Sequence, residues 1–234
     1  MHEQHEPFTW FSLIPALHGV ESHVVTGIFV AIALVICGVV STILLKAIKN
    51  PIVPEEKVTF RNFFEIIAES LFKFCESIMG PHDARLYFPV IGTLFVFIFT
   101  SNMIGLVPGF LPPTDNLNTT LAAGFFVFIF YNIQGFRAHG LGYLKHFLGP
   151  VWYLAPLMLV IELVSHVFRP VSLALRLRGN IMGDHVVLHV FTGLAPYLVP
   201  VIFYAMGVFV SFVQAFVFCL LTMVYISLST AHDH

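Results

Sequence analysis

The sequence predicts an all-α integral membrane protein: about five membrane-crossing helices, one interfacial amphipathic helix, and a last pair that is long and strongly tilted as a hairpin. Three observations carry that prediction. Only 10% of the 234 residues are Asp, Glu, Lys or Arg while 58% are hydrophobic, so too little polar side chain exists to cover a water-soluble globule. The charges are also unevenly placed, with none over 22–45, 86–114, 116–136, 146–161 or 185–232, gaps of membrane length. Finally, no dyad alternation of apolar and polar residues appears, so backbone amides in hydrocarbon must bond within helices and not between barrel strands. The chain reads as a single membrane domain over 1–234.

Met1 to Pro7 lacks the positive region of a secretory signal peptide, and no cleavage-like site follows the first apolar run, so that run is expected to stay as a helix over 22–48. Asn50, Pro51 and Pro54 stop it. Over 57–79, Phe60, Phe63, Phe64, Ile67, Leu71, Phe74 and Ile78 recur at helical spacing, with Arg61, Glu65, Glu69, Lys73 and Glu76 on the other side. This is the signature of an amphipathic helix at the interface, and Glu69 and Lys73 form a favourable i,i+4 pair. A helical hairpin follows over 86–136, turning through a Pro-rich stretch from Pro108 to Thr119.

The segment 150–230 is the long hairpin. From Leu157 to Leu194 a helix would run about 57 Å against a hydrocarbon layer of about 30 Å, which fits only at a tilt of about 55–60°. The stretch from Val201 to Thr230 would run about 45 Å. A competing reading breaks the first of these at Pro170. One helix is favoured, with Pro196 and Pro200 in the turn, because a proline kinks a membrane helix without ending it when neighbours satisfy the freed carbonyl.

Basic residues orient the chain. Lys46, Lys49, Lys57, Arg61, Lys73 and Arg85 flank the interfacial segment and Arg137 and Lys145 follow the hairpin, whereas 108–119 and 192–200 carry no Lys or Arg. The N-terminus is therefore expected outside and the C-terminus in the cytoplasm. A net charge of −2 without a basic arm excludes nucleic acid as a main partner. Cys37, Cys75 and Cys219 are too far apart for a disulfide framework or a CxxC metal site, and read as packing residues.

Glu162, Arg169, Arg176, Arg178, Asp184 and His185 lie in apolar surroundings, where one mid-bilayer charge costs about 3 kcal/mol even on insertion scales. At 100° per residue, with Arg176 at zero, Glu162 and Asn180 fall at about 40°, Arg169 at about 20°, Ser165 and Gly183 at about −20° and Ser172 at about −40°. They make one polar, small-residue stripe about 30 Å long that a neighbouring helix can approach closely. Arg178, His185 and His189 fall on the opposite side, at about 200°, 180° and 220°. Internal pairing, Glu162 with Arg169 or Arg178 with Asp184, is the bland alternative. Arg176 has no acid at i±3 or i±4 and never loses its proton, so its counter-charge must come from elsewhere. On the final helix Gln214 shares a face with Gly207, Phe218 and Tyr225, as a pathway residue or as helix–helix glue.

The run from Arg169 through Pro-Val-Ser-Leu-Ala-Leu-Arg-Leu-Arg-Gly to Asn180, with Gln214-Ala-Phe-Val-Phe and Leu221-Thr-Met-Val-Tyr225, closely resembles subunit a of the rotary proton-translocating ATP synthase. Asn102-Met-Ile-Gly105-Leu-Val-Pro108 and Pro113-Thr-Asp-Asn-Leu-Asn-Thr-Thr-Leu121 resemble its earlier hairpin, and the likeness covers most of the chain from about Phe60. The resemblance implies a non-catalytic, multi-pass subunit of the bacterial plasma membrane that couples ion flow, protons in preference to sodium, to ATP synthesis. It implies that Arg176 faces a ring of small c subunits, each with one ionisable carboxylate, and that peripheral-stalk b subunits and the rest of the synthase are partners. It also implies two offset half-channels. The outer involves Asn102, Asn180, His185 and Gln214, the inner lies near Glu162 and Ser165, and Asn116, Asp184 and His189 are further candidates for the proton path. Family members often carry a carboxylate where His185 stands and a histidine where Gly207 stands, so the relay lacks its second member here, a gap that water, Asp184 or His189 could fill.

Two rival classes differ in their signatures. A proton-coupled secondary transporter calls for inverted repeats with paired broken helices, and no internal repeat is seen. A membrane haem protein could use His166, His185 and His189 as axial ligands, and His185 and His189 suit a metal at i,i+4, but no third ligand is evident. No cofactor is expected. No GxxxxGK[ST] loop occurs, so nucleotide chemistry is not expected in this chain.

Overall fold

The structure is a computed structural model that describes residues 9–13, 20–47, 60–143, 155–194 and 199–230. All regular structure among them is helical: α1 (Ser22–Ala47), α2 (Phe60–Ile104), α3 (Leu117–His139), α4 (Ala155–Leu194) and α5 (Val199–Thr230), with single turns of 3-10 helix at Trp10–Leu13, Pro113–Asp115 and Gly140–Gly142. Five stretches are long and apolar enough to cross a membrane: Ser22–Ile43, Glu65–Ile104, Leu117–His139, Pro156–Gly193 and Pro200–Thr230. Met1 to Pro7, the stop at Asn50, Pro51 and Pro54, and Pro196 lie outside the described residues, as do the side chains of Phe60, Arg61, Phe63 and Phe64.

The α2 run is two helices joined at Gly80, whose φ of 81° and ψ of 167° suit a residue without a Cβ. Pro81 then begins the second leg, where its missing N–H costs nothing. On the first leg Leu71, Cys75 and Met79 are buried on one face while Glu65, Glu69 and Lys73 are exposed on the other. Lys73 Nζ lies 2.8 Å from Glu69 Oε1, the pair expected from the spacing.

The core is where α2 meets α5. Tyr87, Ile91, Phe95 and Ile98 of α2 pack with Phe218, Cys219, Met223 and Ile226 of α5, joined by Val127 and Tyr131 of α3 and Leu173 and Leu177 of α4. In lipid such contacts are held by close packing, because the tails are as apolar as the side chains. Small residues therefore matter. Gly124 of α3 is buried against the Pro170 carbonyl of α4, where a Cβ would stand 2.7 Å from that oxygen.

Helix α4 runs unbroken through Pro170, 40 residues or about 60 Å. It is also the most open of the later helices, with Leu163, Val167, Leu175, Met182, Val186 and Val190 among many exposed apolar side chains. Helix α1 stands to one side, against α2, α3 and the Pro113–Asp115 turn.

Candidate functional site

The polar residues of α4 separate according to what they touch. Arg169 Nη2 lies 3.3 Å from Glu162 Oε1, and its guanidinium sits 5.4 Å from the centre of the Tyr225 ring on α5. These two charges are neutralised within the chain. Arg176, two turns further on, is exposed, and no described residue reaches it with a hydrogen bond or ion pair. Ser165, Ser172, Gly179, Asn180 and Gly183 are exposed with it, and a Cβ at Gly179 or Gly183 would meet nothing within 4 Å. Among the described residues this leaves a small-residue strip around a cation without a counter-charge.

Arg178 turns the other way and its Nε donates to the Asp115 carbonyl at 3.0 Å, not to Asp184, the partner that spacing allowed. Asn180 Nδ2 donates to Gln214 Oε1 at 2.6 Å, which ties α4 to α5 four residues beyond Arg176 and employs Gln214 as an interhelical contact.

One turn past Asn180, Asp184 and His185 enter a recess lined also by Asn102, Leu106, Phe203, Gly207 and Ser211. Its free volume is about 10 Å³, room for about one water. Two glycines open it. A Cβ at Gly207 would stand 3.5 Å from Asp184 Oδ2 and 2.7 Å from Leu106 Cδ2, and one at Gly105 would stand 3.0 Å from His185 Nε2. The Leu106 side chain therefore fills the space beside position 207, with the Asp184 carboxylate at its edge, where spacing shows only a missing side chain. Asn102 is 2% exposed; its Oδ1 accepts from Thr114 Oγ1 at 2.7 Å, while its Nδ2 and the neighbouring Ser101 Oγ have no partner among the described residues.

Asn116 lies outside this recess. Its Oδ1 caps α3 by accepting the Asn118 N–H at 2.8 Å, and its Nδ2 meets His23 Nδ1 of α1 at 3.1 Å. The side chain of His189 lies outside the described part.

Near Glu162 a second polar cluster forms that spacing did not assign. His166, 6% exposed, donates through Nε2 to Asn132 Oδ1 of α3 at 2.9 Å, and Tyr143 donates its hydroxyl to the same oxygen at 3.2 Å. Asn132 is held in that orientation because its Nδ2 donates to the Phe128 carbonyl at 2.7 Å. Burial raises the Tyr143 phenol above its ordinary value, with Arg169 opposing and Glu162 reinforcing, so it remains a donor. In the sequence His166 stood out only as one of three histidines that could ligate a haem. Among the described residues no three His, Cys, Asp or Glu side chains gather as a metal set.

Arranged along α4, the cluster at Glu162 and the recess at Asp184–His185 are separated by about 33 Å of helix, with Arg176 between them. That arrangement can load a proton at one level, hold a negative charge at the middle and unload at the other.

A family model described as ATP synthase A chain matches residues 24–227. ATP synthase subunit a of Bdellovibrio bacteriovorus is 45% identical over 228 residues, 97% of this chain and 99% of that one. ATP synthase subunit a of Trichlorobacter lovleyi and of Geobacter sulfurreducens are each 47% identical over 205 residues, 87% of this chain and 85% and 86% of theirs.

Proposed function

The chain belongs to the ATP synthase subunit a family, a multi-pass membrane component of the ATP synthase complex, and from that premise we propose that it is the proton-channel stator of the rotary motor. In this reading Arg176 faces the carboxylates of a rotating ring of c subunits. The observation that carries it is the exposed guanidinium of Arg176, without a partner among the described residues, in a strip of small side chains. A cation so placed in lipid needs a counter-ion from another chain.

The magnitudes suit the task. Two unit charges 4 Å apart attract by about 4 kcal/mol at an effective dielectric of about 20. That equals about three pKa units, enough to keep a ring carboxylate ionised while it passes. Each proton that crosses 100 mV releases about 2.3 kcal/mol, so the potential makes a comparable contribution to releasing the pair. Asp184 and His185, beside Asn102, form the outer half-channel that protonates an arriving carboxylate; Asn180 and Gln214 hold α4 and α5 together between that channel and Arg176. Glu162 and Ser165 mark the inner half-channel, with His166 behind them. Arg176 blocks direct passage between the two, so flow requires rotation.

The N-terminus lies outside and the C-terminus in the cytoplasm of a bacterial inner membrane, with 60–79 at the inner interface and peripheral-stalk b subunits as further partners. Arg176→Ala in the reconstituted synthase is expected to abolish ATP synthesis driven by an imposed potential. Synthesis retained by that variant overturns the proposal.

A further inference from the structure

We infer that His23, at the start of α1, is the external proton acceptor that feeds the outer half-channel, which makes α1 part of the proton path. The inference rests on the half-channel reading above. His23 Nδ1 lies 3.1 Å from Asn116 Nδ2 and 3.2 Å from Glu21 Oε2. These contacts ask opposite things of one nitrogen. An amide Nδ2 only donates and bonds an Nδ1 without hydrogen, whereas a carboxylate only accepts and bonds an Nδ1 that carries one. Asn116 cannot turn its amide over without losing the Oδ1 bond that caps α3. Gaining a proton therefore exchanges Asn116 for Glu21, and losing it reverses the exchange, with no movement of backbone. An imidazole nitrogen can play either part, as acceptor without its hydrogen and as donor with it.

The surroundings give the exchange a direction. The Glu21 side chain is 72% exposed and that of His23 only 12%, so the pair spans the step from water to interior. Inward, Asn116 adjoins the Pro113–Asp115 turn, whose Thr114 hydroxyl bonds Asn102 on the wall of the Asp184–His185 recess. Among the described residues the buried Nδ2 of Asn102 has no partner, the mark of a site where water completes the bonding. Among the described residues the other charged groups around this turn are Asp115 and Arg178, which holds the Asp115 carbonyl, and neither forms an ion pair with His23. The 3-10 turn at Trp10–Leu13 fastens the loop from outside, Trp10 Nε1 donating to the Pro108 carbonyl at 3.0 Å and Trp10 N to that of Gly109 at 3.1 Å.

The test uses the whole synthase in vesicles, with external and internal pH set separately and ATP synthesis driven by an imposed potential. His23→Gln keeps an acceptor for Asn116 but cannot take up a proton. It is expected to slow synthesis by about tenfold, below the full contribution of a positioned acid or base because water still reaches the path. It should also flatten the dependence on external pH and leave the dependence on internal pH unchanged; a merely structural residue would lower the rate without altering the shape of either profile. If His23→Gln keeps both the rate and the external-pH profile while Arg176→Ala is inactive, the inference is overturned and the half-channel reading stands. If Arg176→Ala is active, that reading falls and takes the inference with it. Should His23→Gln not assemble, Glu21→Gln on the exposed surface decides: a slower rate with an altered external-pH profile supports the inference, and a wild-type profile overturns it.

Discussion

Replacing Gly124 with alanine tests whether the crossing of α3 and α4 sets the position of Arg176. The added Cβ would stand 2.7 Å from the Pro170 oxygen, 3.4 Å from its carbonyl carbon and 3.6 Å from its Cα. A carbon–oxygen contact settles at about 3.3 Å or more, so the helices must part by about 0.6 Å. No rotamer change relieves this, because every atom met is backbone. Overpacking of this kind costs about 1–3 kcal/mol, from which the better helix propensity of alanine recovers about 1 kcal/mol, for a net loss of about 0–2 kcal/mol against wild type. A Gly38→Ala control carries the same propensity gain, so against it the full cost remains. Pro170 already lacks one helical hydrogen bond and lies about 9 Å along the axis from Arg176. Since a misplacement of about 1 Å costs about a hundredfold in a positioned reaction, a 0.6 Å shift is expected to slow coupled synthesis by about tenfold. The assay is ATP synthesis per assembled complex, with the thermal midpoint in detergent. Gly38→Ala, where a Cβ meets nothing within 4 Å, is the control. A Gly124→Ala complex matching that control in both rate and midpoint refutes the reasoning.

Three further outcomes are expected. His185→Ala should reduce proton conduction in vesicles by roughly tenfold or more, and unchanged conduction removes His185 from the path. Asn132→Leu takes away the acceptor shared by His166 and Tyr143, at a cost of about 1–3 kcal/mol for each buried donor affected, read as a lower unfolding midpoint of the purified chain; no change would mean that the cluster does not stabilise the fold. Gly183→Leu should leave the stability of the purified chain within about 0.5 kcal/mol, since the position is open, yet abolish coupled pumping, and normal pumping would place the ring elsewhere.

Much of the fold follows from charge gaps, because hydrocarbon tolerates so few alternatives to a helix. The continuity of α4 through Pro170 was legible for the same reason, as was the isolation of Arg176, which needs only the absence of an acid at helical spacing. What the angular arithmetic cannot supply is the neighbour. It placed Arg178 opposite Arg176 but could not find the Asp115 carbonyl 63 positions away. It treated Gly207 as a missing side chain, although Leu106 fills the space beside it and the Asp184 carboxylate borders it. His23 carried no signal at all, since its partner Asn116 lies 93 positions along the chain. Contacts of that separation are set by which helices pack, and packing in lipid depends on shape more than on polarity.

The openness of α4 bears on how the complex is made. A chain inserted before its partner arrives leaves Arg176 facing hydrocarbon, a cost of about 2.5–3.5 kcal/mol on insertion scales, against a total stability of about 5–15 kcal/mol for an ordinary domain. Such a chain opens more often, and open chains are removed by membrane proteases. If Arg176 meets its counter-charge on a ring of c subunits, as proposed, the amount of this subunit in the membrane should follow the supply of that ring, and the same arginine makes the orphan subunit short-lived.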